Sequence, residues 1–165
     1  MNHIEQLKQQ FQLEPHPEGG SYKRNYQSEV LLPTDRGLRH AMSTISYLLE
    51  ADEFSAFHRI QSDETWAYHE GSSALVIYEL TDTGLKQTRL GRDHPLLTVP
   101  AKTWFAARLE SNNEEDYAFC SCVVAPGFDF VDFEMANQNQ LAAKFPQYSE
   151  LIHALTRENP VVPLP

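Results

Sequence analysis

The chain is short of several things. It has only two cysteines and seven glycines, and its 13 Lys+Arg are outnumbered by 23 Asp+Glu, for a formal net charge of -10. The cysteines, Cys120 and Cys122, stand two residues apart. On a strand that spacing points both thiols to one face, too far apart for a relaxed disulfide. It is also not the spacing of a metal knuckle. They are expected to be inert core thiols in a reducing compartment. No five-residue window is rich in Lys or Arg, which excludes nucleic acid and acidic membrane surfaces as partners of the outer surface. No run approaches the ~20 apolar residues of a membrane span. The polar start, Met1 to Phe11, lacks the apolar core of a signal peptide. A cytoplasmic location is the expectation. Gly19-Gly20 has neither a GxGxxG nor a GK[ST] setting, so it is not a phosphate loop. Ser21 and Ser43 lack the surroundings of a nucleophile elbow. There is no internal repeat and no low-complexity segment.

What is present is core material. Hydrophobic residues make up 41% of the chain and aromatics 11%. That suits one domain over residues 1–165 that hides roughly 70% of its unfolded surface. Ile4, Leu7 and Phe11 recur at helical spacing and predict a helix over about 2–12. From about Ser21 the pattern turns to short strands separated by turn residues. Strands are expected at 42–50, 54–60, 65–69, 74–80, 85–90, 96–99, 103–109, 117–124 and 128–133. Their even spacing, with no helical pattern between them, argues for a sandwich or barrel over about 20–134. Leu141, Phe145, Tyr148, Leu151, Ile152 and Leu155 predict helical structure within 138–157. The proline-rich tail Pro160 to Pro165 is expected to lie extended against a surface.

The informative stretch runs from Phe57 to Gly71. Strand, tight turn and strand put His58 and Glu64 on neighbouring strands. By simple alternation His58 shares a face with Ala56 and Ile60, and Glu64 shares one with Trp66 and Tyr68. If both faces point inward, the interior holds an imidazole, a carboxylate, an indole and a phenol, a pocket wall with acid-base capacity. A carboxylate facing a barrel interior needs a partner or water. Arg59, Arg24 and His58 are the candidate partners of Glu64. Arg59 lies opposite in phase to His58 and can equally face outward.

The same stretch resembles the first motif of the cupin superfamily, G-x5-H-x-H-x3,4-E-x6-G, with His58, Glu64 and Gly71 at the first His, the Glu and the last Gly. His16-Pro17-Glu18-Gly19-Gly20, Val99-Pro100-Ala101-Lys102-Thr103-Trp104-Phe105 and Ala125-Pro126-Gly127-Phe128-Asp129-Phe130 followed by Phe133-Glu134 narrow the resemblance. Together they are similar to the cupin-5 family, domain of unknown function 985, over about Leu13 to Leu155. The resemblance implies an all-β fold, a double-stranded β-helix (jelly roll or cupin barrel) with short terminal helices and a pocket inside. It also implies a homodimer. Two imidazoles of the metal-binding cupins are missing, because Ile60 and Phe105 stand at their positions. His58 and Glu64 alone are weak metal candidates, and no cofactor is expected.

The non-metal cupins, such as the sugar-nucleotide epimerases with a His base, then offer the nearer analogy by fold. The leading expectation is a small-molecule-binding cupin, an isomerase or epimerase working by proton transfer. His58 would be the base, Glu64 would orient it or bind ligand, and Tyr68 or Tyr47 would be the acid. Arg24, Arg59 and Lys102 are candidates to hold an anionic group of the ligand. Phe57, Trp66 and Trp104 are candidate aromatic contacts, and Glu18 is either a turn residue or a group reaching over the barrel mouth. A ligand-binding or sensing module without turnover and a metal-dependent enzyme are the alternatives.

Overall fold

The computed structural model describes residues Met1 to Pro160. The expectation for the tail Val161 to Pro165 lies outside the described residues. Helix α1, His3–Gln10, opens the chain and is held by a capping box: Glu5 donates its N–H to the Asn2 side chain at 2.8 Å, and the Asn2 N–H reaches the Glu5 carboxylate. Thirteen strands follow: β1 Glu14–Pro15, β2 Ser21–Gln27, β3 Leu31–Thr34, β4 Gly37–His40, β5 Ser43–Glu50, β6 Phe54–Arg59, β7 Asp63–Gly71, β8 Leu75–Thr81, β9 Gly84–Leu90, β10 Leu96–Val99, β11 Trp104–Leu109, β12 Tyr117–Ala125 and β13 Glu134–Met135. Helices α2, Gln138–Lys144, and α3, Ser149–Ala154, close it.

The strands form a six-stranded sheet, β1-β2-β5-β12-β7-β10, and a five-stranded sheet, β13-β6-β11-β8-β9. These face each other as a jelly roll. A separate β3–β4 hairpin stands at one end. The core between the sheets is built from Tyr47, Leu49, Trp66, Leu75, Ile77, Leu97, Phe105 and Cys120, among others. Helices α2 and α3 cover the back of the five-stranded sheet, where Ile152 and Leu155 pack with Phe57, Leu80 and Ala106. Each of those fully buried aliphatic side chains stabilises by about 1.5–3 kcal/mol. Helix α1 covers the other back through Leu7, against Leu48 and Phe119. No helix among the described residues is long and apolar enough to cross a membrane. Both cysteines are buried free thiols.

Two strand expectations fail for local reasons. The stretch 128–133 is not a strand. Phe130–Asp132 forms a 3-10 turn, and the Asp129 side chain caps it by accepting the Val131 N–H at 2.9 Å. Strict alternation along β6 also fails. Phe105 faces His58 while Ala107 faces Ser55, so β6 carries one extra residue as a bulge. The bulge turns Ser55 and His58 to the same inner side and sends Phe57 outward to the helices. Its backbone is satisfied from outside: Ala56 N–H donates to Glu18 O, Phe57 N–H to Leu155 O, and Ala136 N–H to Phe57 O.

The His16–Gly20 segment tucks into the same end of the barrel, and two glycines make this possible. Gly19 sits at φ +113, where a Cβ would lie 2.0 Å from the Phe54 carbonyl oxygen. Gly20, at φ +74, would put a Cβ 2.7 Å from Tyr47 Oη. Gly19→Ala combines a forbidden backbone conformation with a backbone clash, so it should cost on the order of 3 kcal/mol. Thermal denaturation checks this; a melting temperature unchanged from wild type would contradict the packing described.

Candidate functional site

The centre of the interior at this end is a buried pair. His58 Nε2 lies 2.8 Å from Glu18 Oε2, with the two side chains only 2% and 7% exposed. His58 Nδ1 lies 2.7 Å from the Ala56 carbonyl and donates to it. That bond leaves Nε2 aimed at Glu18. Glu18 is fixed through its own backbone. Its carbonyl accepts from Ala56 N–H at 2.8 Å and from Arg157 Nη1 at 2.8 Å. Arg157 also bonds the Phe54 carbonyl and lies over the Phe54 ring. The next carbonyl, Gly19 O, accepts from Tyr47 Oη at 2.6 Å. His16 Nδ1 accepts the Glu18 N–H at 3.1 Å, which requires that nitrogen to be unprotonated.

The charges follow from this arrangement. Burial pushes the Glu18 carboxyl up, but His58, His16 and hydrogen bonds from His58 and Ser55 outweigh it and hold it at about 2. Burial pushes His58 down, yet the charge and hydrogen bond of Glu18, with help from Glu64 and the Ala56 carbonyl, raise it above the ordinary imidazole range. Burial wins at His16, which is lowered. At Glu64, burial first and the charge of Glu18 second raise the carboxyl to about 7, against a smaller opposing effect of His58 and a contact with the Cys122 thiol. At neutral pH the interior therefore holds an ion pair, a neutral imidazole and a carboxyl poised between its two forms.

Of the residues singled out in the sequence, His58, Glu64, Glu18, Tyr47 and Trp66 come together here. Tyr47 and Trp66 pack edge to face at 5.4 Å, and Phe105 lies 4.2 Å from His58. Tyr68 is inside but further along β7, its hydroxyl donating to the Ser73 carbonyl at 2.9 Å. Five others are not brought in. Phe57 and Trp104 belong to the cluster beneath the helices, because the β6 bulge and the phase of β11 turn them outward. Arg59 follows the outward phase, paired with Glu134 at 2.7 Å and lying over Trp104. Lys102 sits exposed on a turn at φ +65. Arg24 is exposed at the barrel mouth. Glu64 does not take Arg59 or Arg24 as its partner. The sequence reading missed His16, Ser55, Cys122, Phe133 and Arg157. The His-Pro-Glu-Gly-Gly run was the available signal for His16; Ser55 depends on a bulge that alternation conceals.

A cavity of about 710 Å³ opens at the mouth, lined by Tyr22, Arg24, Leu38, Arg39, Phe128 and Phe130 among others. His58, Glu18 and Glu64 are not in its wall. An aromatic layer lies between: Phe133 stacks on His58 at 5.5 Å, and His16 packs on Tyr22 at 4.4 Å and Phe130 at 6.4 Å.

The two imidazoles missing from the metal-binding pattern are replaced by buried apolar side chains, Ile60 and Phe105. The Phe105 ring packs against His58 where an imidazole would be needed, and Ile60 is an apolar core residue. Both nitrogens of His58 already have protein partners. Among the described residues no group of three or more His, Cys, Asp or Glu is arranged to hold an ion.

Glu64 has a consequence for stability. With its carboxyl raised from 4.5 to about 7, the folded chain keeps a proton that the unfolded chain releases. Stability therefore falls as pH rises from about 4.5 to about 7 and stays lower above that. Glu64→Gln removes this loss. It should match wild type in unfolding free energy below pH 4.5 and exceed it at about pH 8, by up to roughly 3 kcal/mol, read by denaturant titration. An equal effect at both pH values would contradict the buried, poised carboxyl.

No curated protein matches the chain. Solved structures do. A hypothetical protein from Leishmania major is 30% identical with a TM-score of 0.86, covering 95% of this chain and 100% of its own. A protein from Shewanella oneidensis is 32% identical with a TM-score of 0.86, covering 96% and 100%. A Bacillus subtilis oxalate decarboxylase variant shares the fold at 14% identity and a TM-score of 0.56, over 90% of this chain and 38% of its own. The model of the family Cupin_5, cupin superfamily (DUF985), matches residues 5–136. With its jelly roll, its paired His58 and Glu18 and this match over most of its length, the chain belongs to the Cupin_5 family of the cupin superfamily.

Proposed function

We propose that the protein is a small-molecule-binding cupin that transfers a proton at its ligand, as an isomerase or epimerase does, using Glu64 and the His58–Glu18 pair without a resident metal. The observation that carries this reading is a carboxyl at about 7 buried beside an ion pair of 2.8 Å. A group poised near the working pH is the most effective proton carrier. The roles differ from the sequence expectation. His58 is favoured as a cation with both N–H groups committed to Ala56 and Glu18, so it acts as a charge stabiliser rather than as the base. Glu64 removes the proton, and the imidazolium of His58, oriented by Glu18, offers its charge to the oxygen that becomes negative. Tyr47 serves by holding Gly19 in place, since its proton is committed to that carbonyl.

A polar ligand is supported by what the interior leaves unfilled. Trp66 Nε1 is buried with no hydrogen-bond partner among the described residues, and such an atom asks for a ligand atom or a water. A cavity of about 710 Å³ accommodates a metabolite-sized molecule. The buried free thiols suit a reducing, cytoplasmic setting. A homodimer belongs to the same reading, supported by exposed Leu31 and Leu38 on the hairpin. The second reading is a binding module without turnover, favoured by the aromatic layer between the cavity and His58.

Solvent exchange separates the two. The molecule retained by the native protein is identified by mass spectrometry, then incubated with enzyme in deuterated water and followed by NMR. Deuterium should enter at carbon, with a rate that rises through about pH 7 as Glu64 ionises and falls again as His58 loses its proton. Glu64→Gln should slow it by roughly a hundredfold or more. Retention of the ligand with no exchange, or exchange unaffected by Glu64→Gln, would remove the proton-transfer reading.

A further inference from the structure

The cavity and the His58–Glu18 pair lie on opposite sides of one short segment, Phe128–Phe133. Phe128 and Phe130 line the cavity. Phe133, at the other end of the segment, stacks on His58 with ring planes 27° apart, and lies 6.2 Å from His16. The three phenylalanine rings also pack on one another, with centroids 4.8 to 6.0 Å apart. A ligand in the cavity reaches the proton-transfer groups only if Phe130 and Phe133 move.

The segment is anchored at its start by the Gly127 and Phe128 N–H bonds to His40 O and Ser43 Oγ and at its end by β13, and between them by an ion pair to the β3–β4 hairpin. The Asp132 carboxylate accepts two bonds from Arg39, Nε at 2.7 Å and Nη2 at 2.9 Å. Arg36 Nε lies 3.4 Å from the same carboxylate. Two guanidinium groups therefore face one half-buried carboxylate. Arg36 is poorly served: Nη1 reaches Asp35, which is 78% exposed, at 3.2 Å, Nη2 reaches the Ser62 hydroxyl at 3.5 Å, and Nε is buried without a hydrogen bond among the described residues. Arg39 belongs to the cavity wall, as do Lys23 and Arg24, neither of which has an ion-pair partner among the described residues. Glu14 and Asp129 line the same cavity, and of the ion-pair cluster only Arg39 faces it, with Arg36 and Asp132 behind its wall.

Resting on the reading that the ligand is handled by His58 and Glu64, we infer that the Arg36–Arg39 pair receives an oxyanion of the ligand, a carboxylate or a phosphate. This oxyanion takes the place of the Asp132 carboxylate and frees Phe130 and Phe133 to uncover His58. Arginine forks bind both anions in the same two-bond geometry that Asp132 already occupies. The exchange of one anion for another costs little charge desolvation, whereas opening the segment with no anion present leaves two guanidinium groups unpaired. The ligand thus opens its own path, and an empty protein keeps water away from the interior carboxyl.

The test needs no substrate turnover. Diethyl pyrocarbonate modification of each histidine, read by peptide mass spectrometry, reports how often His58 and His16 are uncovered. The exposed His94 and His153 serve as internal standards. Asp132→Asn should speed modification of His58 by about tenfold relative to those standards, the effect of losing a charge-assisted bond. Arg39→Lys, which keeps the charge but loses the fork, should act in the same direction. In wild type, inorganic phosphate and malonate should each be compared with sodium chloride at equal ionic strength. Acceleration by either supports the inference, and which of them acts tells phosphate from carboxylate. Unchanged His58 modification in folded Asp132→Asn, or no acceleration of wild type by either anion, overturns it. Solvent exchange into the ligand reads Glu64 and His58 separately, so the segment can fail this test while proton transfer stands, and the reverse.

Discussion

A charged pair inside a β-barrel is the constraint on which the rest of this structure depends. Taking a carboxylate and an imidazolium out of water costs several kcal/mol for each ion, and the pair holds only if its geometry is good and its remaining bonding sites are filled. His58 and Glu18 meet both conditions. Their contact is 2.8 Å, the second His58 nitrogen bonds the Ala56 carbonyl, and Glu18 is anchored through its own N–H and carbonyl. Losing one partner would strand the other charge, at a cost of about 3–5 kcal/mol. The neighbouring features read as conditions for this contact. Gly19 and Gly20 let the loop enter, the β6 bulge points His58 inward, and Tyr47 and Arg157 fix the loop from two sides.

The same pair sets the character of Glu64. A lone carboxyl at that depth would be pushed up by burial alone, and the negative Glu18 pushes it further while the positive His58 pulls it back. The result, about 7, is a balance that neither burial nor pairing gives by itself. Glu18 and Glu64 are two carboxyls in one chamber with opposite fates, one held ionised at about 2 and one held near its midpoint. Pushing two such groups apart is how a single interior comes to contain both a fixed charge and a movable proton.

Most of the fold was legible in the sequence, and the site was legible in part. The strands over 43–50, 63–71 and 117–125 follow from alternating β-branched and aromatic residues, and the family pattern of His58, Glu64 and Gly71 named the barrel. Glu18 was harder to read, because a Pro-Glu-Gly-Gly run is equally the grammar of an exposed turn. Its burial depends on Phe54 and Leu48, which lie far from it in the chain, leaving room only for glycine. Phe57 was misjudged and Ser55 passed over because one inserted residue in β6 reverses the phase, and nothing in Phe54-Ser55-Ala56-Phe57 marks where it falls. The stretch 128–133 reads as a strand by composition. Its phenylalanines instead gather around His16, His58 and one another, a tertiary demand that overrides β propensity.

That last departure carries a functional meaning. A strand at 128–133 would have alternated its aromatic rings between core and solvent and paired its backbone with a sheet edge. A short turn with an Asp cap spends no ladder bonds on the sheet beyond β13, and between its anchors at Phe128 and β13 its position rests on ring contacts and on Asp132. Ring contacts are non-directional and can be remade, and an ion pair at the rim of a cavity can be exchanged for another. Between those anchors the part covering His58 is thus attached by interactions that can be replaced, while His58 and Glu18 beneath it are held by short, directed bonds. The division puts rigidity at the buried pair and exchangeability at the entrance, the arrangement that the proposed proton transfer calls for.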